Sequence, residues 1–290
     1  MIIWLASYPK SGNTWLRSFI ASLLFNESDN LSLKSLSNIP QFPLRSHFNN
    51  FVNNHEIDDL NKVSSYWIKS QQIINLDKKV KFFKTHHALC KINSSIFTNY
   101  ENSLGVIYIV RDPRNVISSI KYHFSKENYI EAKNFLFDEN KCLGKKFDET
   151  SKNKNRDMVT LIASWKTHYN SWKNFKKNYL LIKYEDLVSN PYEEFRKISE
   201  YLESSGMNSK IQECESLSQT FIYSKVREEV VELHRLFHVG GEAAGDAHEE
   251  DLRRLHHTTG LGVLQKVTIV DSAQTEIMEV TVPLRIEGFV

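Results

Sequence analysis

Four short polar segments of this sequence carry side chains that could hold an anion or move a proton. Tyr8-Pro9-Lys10-Ser11-Gly12-Asn13-Thr14-Trp15 combines a lysine, a glycine and the short side-chain donors Ser11, Asn13 and Thr14. Lys84-Thr85-His86-His87 sets a cation beside a histidine whose ordinary pKa of ~6.5 leaves much of it neutral and able to accept a proton near neutral pH. Arg111-Asp112-Pro113-Arg114-Asn115 offers a planar guanidinium fork suited to bidentate phosphate binding, and Ser119 follows with a hydroxyl. Lys183-Tyr184-Glu185-Asp186 is the fourth. Together these residue types suit binding of a phosphorylated ligand and general-base chemistry on a hydroxyl.

Each segment ends an apolar run. Ile2–Ala6, Val80–Lys84, Val106–Val110 and Tyr179–Tyr184 read as short strands. After the first, Trp15, Leu16, Phe19, Ile20, Leu23 and Leu24 recur at helical spacing; helices are also expected from about Asn115 and after Pro191. Buried strands alternating with helices predict an α/β fold, a single domain with a central parallel sheet flanked by helices. Ligands bind such sheets beyond the carboxyl ends of the strands, so the four segments are expected to converge. Residues 26–61 and 137–157 are polar and irregular and read as loops or helical insertions over the site.

The first turn is of P-loop-like strand–loop–helix type. Unpaired amides at a helix N-terminus and the helix dipole favour an anion there. Gly12 permits close backbone approach, and Lys10 brings a point charge. The segment is not a Walker A motif, because its lysine precedes the glycine.

In this 290-residue chain, 41% of residues are hydrophobic and 25% charged, the balance of an ordinary globular protein, and the formal net charge of +2 gives no argument for nucleic acid as a partner. The three cysteines, Cys90, Cys142 and Cys214, have neither the number nor the spacing of a disulfide framework or zinc site. No apolar run approaches the roughly 18 residues of a membrane span, and nothing at the start reads as a signal peptide. A cytoplasmic location is expected. Asparagine is absent beyond Asn208 and lysine scarce beyond Lys210, so residues 226–290 read as an atypical C-terminal segment: a divergent end, a fusion or a shifted reading frame. That tail contains five histidines, including the i, i+4 pair His234/His238, read as an exposed helical face rather than a metal site. It ends in two strand-like runs, Val267–Val270 and Ile277–Ile286.

The eight residues Tyr8 to Trp15 resemble the 5′-phosphosulfate loop of the sulfotransferase family that uses 3′-phosphoadenosine-5′-phosphosulfate (PAPS). Arg111 and Ser119 match the spacing of that family's 3′-phosphate ligands, Lys84-Thr85-His86 resembles its Lys-Thr-His motif, and Lys183 to Leu187 resembles its Lys-Tyr-Glu-Asp-Leu segment. The resemblance covers about residues 1–225. It implies that Lys10, Ser11, Gly12, Asn13 and Thr14 hold the 5′-phosphate and sulfuryl group, and Arg111 and Ser119 the 3′-phosphate. Trp15 would shape the adenosine side or be the first core residue of its helix. Tyr184 would contact the adenine or be a core tyrosine with a satisfied hydroxyl, and Gln219-Thr220-Phe221 faintly resembles a later adenine-contacting segment. His86 would be the general base, with Lys10 and Lys84 stabilising the transferred group. His87 is expected to face away. Arg111 has one competing reading, a salt bridge to a nearby Asp; Arg114 is read as solvated or paired with Asp112.

The family's Arg-Lys-Gly loop has no counterpart here; Gly240-Gly241 and Arg253-Arg254 are poor substitutes. The expected activity is sulfuryl transfer from PAPS to a hydroxyl or amine of a small-molecule, sugar or lipid acceptor, without a metal. The acceptor pocket is expected around Asn38–Phe51, Tyr122–Phe137 and the tail. A homodimer is left open, although the family's C-terminal dimerisation segment is not recognisable. The competing readings are a non-catalytic nucleotide-binding protein of the same fold and a P-loop nucleotide kinase.

Overall fold

All six residues of strand β1 (Ile2–Ser7) are fully buried, as expected of a strand covered on both faces. Its alternation sorts two cores. Ile3 and Leu5 face Leu16, Phe19 and Ile20 of helix α1 (Asn13–Phe25), while Ile2, Trp4 and Ala6 face a cluster rich in aromatic residues. The Trp4 indole N–H finds a buried partner in Ser103 Oγ at 2.7 Å, which lets so large a residue occupy the sheet centre.

This computed structural model describes residues 1–25, 33–53, 56–144 and 158–207, and the strands Val263–Val270 and Glu276–Leu284. Beyond α1, two short 3₁₀ turns (Leu33–Asn38 and Arg45–His47) precede helices α2 (Leu60–Ser64) and α3 (Trp67–Ile74). Strand β2 (Lys81–Thr85) is followed by the small hairpin β3 (Lys91–Ile92) and β4 (Ser95–Ile96). Strand β5 (Ser103–Val110) leads into helices α4 (Pro113–His123) and α5 (Tyr129–Phe137). The two-residue strands β6 (Cys142–Leu143) and β7 (Thr160–Leu161) pair antiparallel, and helix α6 (Trp165–Lys173) follows. Strand β8 (Tyr179–Lys183) runs directly into α7 (Tyr184–Ser189) and then α8 (Pro191–Ser204).

The main sheet has the order β2-β1-β5-β8 with every neighbouring pair parallel. This is a mixed α/β fold with a central parallel sheet flanked by helices. Its register matters for function: Ala6 pairs with Thr85, Ser7 with Ile109 and Val110 with Lys183. The four strands therefore finish at one edge, and each polar segment leaves from that edge.

Several boundaries differ from the sequence reading. Strand β5 begins at Ser103, three residues early, because Ser103 and Gly105 pair with β1 without being apolar. Helix α4 begins at Pro113 rather than Asn115, with Asp112 as N-cap accepting from the Arg114 N–H. Tyr184 starts a helix instead of ending a strand, and the acidic Glu185 and Asp186 suit that N-terminus.

The chain divides into two compact units, Met1–Ser224 and Lys225–Val290. In the second, the strand-like runs of the tail form β9 (Val263–Val270) and β10 (Glu276–Leu284), an antiparallel pair. Cys214, Gln219 to Phe221, the five tail histidines and Gly240-Gly241 lie outside the described residues. Cys90 and Cys142 are free thiols.

Candidate active site

Residues Tyr8 to Gly12 turn the chain from β1 into α1. The turn needs positive φ at Lys10 (65°) and Gly12 (92°). Lysine in that region costs about 1 kcal/mol or more, and it persists only where the surroundings hold it. Arg111 does so from the end of β5: its Nη1 donates to the Lys10 carbonyl at 3.1 Å and to Ser119 Oγ at 3.1 Å. The same guanidinium lies 4.3 Å over the Tyr184 ring. One residue thus joins the first, third and fourth polar segments. Arg111 makes no ion pair with a carboxylate among the described residues, whereas Arg114 bonds Asp112.

Gly12 is fixed by space as well as by conformation. A Cβ there would lie 2.5 Å from Tyr184 Cδ2 and 3.2 Å from Ile109 Cδ1. Gly12→Ala is expected to lower stability by about 1–3 kcal/mol, through left-handed strain and displacement of the Tyr184 ring. Thermal melts of the two proteins measure this.

Two buried donors at the loop, Ser11 Oγ and Arg111 Nε, bond no partner among the described residues. Buried polar groups are rarely left so; Ser11 belongs to the turn and Arg111 is bonded to it through Lys10, which fits an anionic ligand carrying several acceptor oxygens. Asn13 departs from its expected role. Its side-chain amide is buried and donates inward, to the Leu5 carbonyl at 3.0 Å and to Ser7 Oγ at 3.1 Å. What Asn13 offers a ligand is its backbone N–H at the start of α1. Thr14 is exposed at the same helix start. The Trp15 ring packs edge-on against Phe195 and Tyr184, at 6.0 and 6.3 Å between centroids.

His86 lies immediately past β2. Its Nδ1 is 2.8 Å from the Ser7 carbonyl and 3.2 Å from Ser7 Oγ. A carbonyl only accepts, so Nδ1 carries the proton and the Nε2 lone pair is left available. His86 lines a cavity of about 280 Å³ together with Lys10 and Lys84. Burial first, then the Lys84 charge, pushes the His86 pKa down to about 3, partly offset by the bond to Ser7, so the ring is neutral at pH 7. His87 turns the other way. It is fully buried, stacks on Phe97 at 4.5 Å and meets Trp67 edge-on at 4.8 Å.

The cavity continues past His86 to Gln41, His123 and Phe124, and then to Leu143, Gly144, Met158 and Thr160 around the β6/β7 pair. Lys84 Nζ donates to Gln41 Oε1 at 3.4 Å, and Lys10 Nζ is 3.3 Å from His123 Nδ1. Gln41, His123 and Phe124 lie in the stretches expected to build an acceptor pocket. Leu143 and Gly144 belong to the stretch 137–157 expected to lie over the site, whereas Met158 and Thr160 follow it and carried no signal, since two-residue strands leave no periodicity. Among the described residues no group of three or more His, Cys, Asp or Glu could hold a metal ion, and no helix is long and apolar enough to cross a membrane.

A family model described as "Sulfotransferase domain" matches residues 2–240. The chain belongs to the sulfotransferase family. It is similar to sulfotransferase 1B1 of Canis lupus familiaris, 28% identical over 203 residues that cover 69% of this chain and 58% of that protein. Cytosolic sulfotransferase 10 of Arabidopsis thaliana is 27% identical over 234 residues, covering 74% and 62%. Among solved structures, mouse sulfotransferase SULT7A1 complexed with PAP aligns with a TM-score of 0.47 at 20% identity, over 77% of this chain and 64% of that one. The chain therefore spans little more than half the length of the first of these curated sulfotransferases.

A residue that pattern reading missed is His168 on α6, fully buried and bonded to the His86 carbonyl. Burial pushes its pKa down to about 3 and that of His87 to about 4. Both are held neutral in the folded state, while the unfolded chain protonates them near pH 6.5. Their contribution is therefore full above that pH and is lost as pH falls toward 4 and 3. Thermal stability is expected to drop below pH 6.5, at up to about 1.4 kcal/mol per pH unit per histidine. A melting temperature constant from pH 7 to 4.5 would contradict this.

Proposed function

We propose that this protein transfers the sulfuryl group of PAPS to a hydroxyl or amine of a small-molecule, sugar or lipid acceptor. The observation that carries the reading is the bond from Arg111 to both Lys10 and Ser119, beside a His86 whose Nε2 is left free. It supports a two-phosphate clamp with a base next to the transferable group.

In this reading the turn from Lys10 to Thr14 holds the 5′-phosphate and sulfuryl group through Ser11 Oγ, the α1 amides and the Lys10 charge. Arg111 and Ser119 hold the 3′-phosphate. Tyr184 supports Arg111 from below, and Trp15 borders the adenosine side. The acceptor occupies the cavity in front of His86, where Nε2 takes its proton. A bond forms from the acceptor oxygen or nitrogen to sulfur as the bond from sulfur to the bridging phosphate oxygen breaks. Lys10 and Lys84 stabilise the charge on that leaving oxygen, and 3′,5′-ADP departs. The donor's negative charge also favours the imidazolium that burial disfavours in the free protein. Lysines and helix amides supply the neutralisation, so the mechanism calls for no metal. Residues 1–225 would carry this chemistry and 226–290 form a separate segment.

A transfer assay with ³⁵S-labelled PAPS, the full chain and a panel of alcohol, phenol, sugar, lipid and amine acceptors tests the proposal. Label is expected on one acceptor class. Tight 3′,5′-ADP binding without transfer to any acceptor would favour a non-catalytic nucleotide-binding protein instead.

A further inference from the structure

The segment that follows β2 leaves the sheet, so the backbone groups of residues 86–89 need partners elsewhere. One face of α6 supplies them. His168 Nε2 is 3.1 Å from the His86 carbonyl, Trp172 Nε1 donates to the His87 carbonyl at 2.9 Å, and Ser171 Oγ accepts from the Leu89 N–H at 3.0 Å. Positions 168, 171 and 172 share a side of the helix by their i, i+3, i+4 spacing. Ser171 Oγ also donates to the His168 carbonyl at 2.7 Å, which ties the clamp to its own helix.

His168 is the member whose chemistry is specific. Its Nε2 faces a carbonyl and must carry the proton, so Nδ1 is an acceptor. The Tyr108 hydroxyl lies 2.8 Å from that Nδ1 and donates to it. Tyr108 stands on the sheet strand β5, where it pairs with Ala6 of β1. The Tyr8 ring meets the His168 ring edge-on at 5.6 Å. His168 thus meets Tyr8 at the start of the anion-binding turn, Tyr108 of the sheet and the backbone of His86.

We propose that His168 is a positioning residue for sulfuryl transfer, which holds the His86 carbonyl so that Nδ1–H stays on Ser7 and Nε2 stays aimed into the cavity. It rests on the sulfotransferase reading above and adds a residue that touches neither donor nor acceptor. A histidine fixed by tyrosine at one nitrogen and by a carbonyl at the other has one orientation and one tautomer. A merely space-filling residue at the same place would need neither nitrogen.

The test compares His168→Leu, His168→Gln and Tyr108→Phe in the full chain. Gln places an amide N–H where Nε2–H stood, whereas Leu removes the donor. For His168→Leu, kcat is expected to fall by on the order of 30-fold or more, as small misplacements of a catalytic group do, with 3′,5′-ADP affinity and the KM for PAPS nearly unchanged. His168→Gln should recover most of that loss, and Tyr108→Phe should fall between them. In parallel, ¹⁵N spectra of the His86 ring should show Nδ1–H in wild type and His168→Gln, and a mixture of tautomers in His168→Leu or, should that variant not fold, in Tyr108→Phe. Wild-type kcat in His168→Leu, an equal loss in His168→Leu and His168→Gln, or a His86 tautomer indifferent to all three changes would overturn the proposal. If wild type transfers sulfate to no acceptor, the functional reading fails, and the ¹⁵N comparison still decides whether His168 positions His86.

Discussion

His86→Ala is expected to abolish sulfuryl transfer while leaving nucleotide binding nearly intact. Removing a positioned general base costs about 10²–10⁴-fold, or roughly 3–5 kcal/mol of barrier. The selectivity follows from geometry. His86 meets the start of α1 indirectly, through Ser7, whose Oγ also accepts from Asn13, whereas Arg111 bonds Ser119 and the Lys10 carbonyl. Steady-state kinetics beside a titration of 3′,5′-ADP read the two effects separately. Undiminished turnover in His86→Ala would remove the base assignment. A parallel loss of nucleotide affinity would mean that the ring shapes the donor site as well.

The second large effect lies at Arg111. Arg111→Ala should weaken 3′,5′-ADP by about 2–3 kcal/mol, roughly 30- to 150-fold, the cost of a lost charged hydrogen-bonding partner to a phosphate. Three roles would fail together: the contact with the 3′-phosphate, the bond that holds Lys10 at positive φ, and the stack on Tyr184. Arg111→Lys keeps the charge but not the fork, and should recover only part of the affinity. Unchanged affinity in Arg111→Ala would place the 3′-phosphate elsewhere.

The sheet was legible in the sequence because strands buried on both faces leave uninterrupted apolar runs, and β1 is the extreme case with no exposed residue. The convergence of the polar segments followed from the same runs, since parallel strands end at one edge. What stayed hidden was structure without periodicity. Helix α6 spans Trp165–Lys173 with a sequence rich in polar residues; of its inward residues His168, Ser171 and Trp172, all of which bond backbone, Trp172 alone joins the apolar core. Its start was readable from Ser164, which caps the helix by accepting from the Thr167 N–H at 3.1 Å. Likewise the Asp112-Pro113 pair announced the true start of α4. Asn13 shows the converse difficulty. Its type suggested a ligand donor, but only the folded turn shows that its amide is already used by Leu5 and Ser7.

The proposed occupant of the anion site is a 3′,5′-bisphosphorylated adenosine. Calorimetric titration of the full chain with 3′,5′-ADP and, separately, with ATP in the presence of Mg²⁺ tests it most directly. The arrangement of Arg111 and Ser119 beside the Lys10 to Thr14 turn predicts clearly tighter binding of 3′,5′-ADP, with no dependence on Mg²⁺. Preference for ATP with Mg²⁺ would contradict the account and point to a nucleotide kinase.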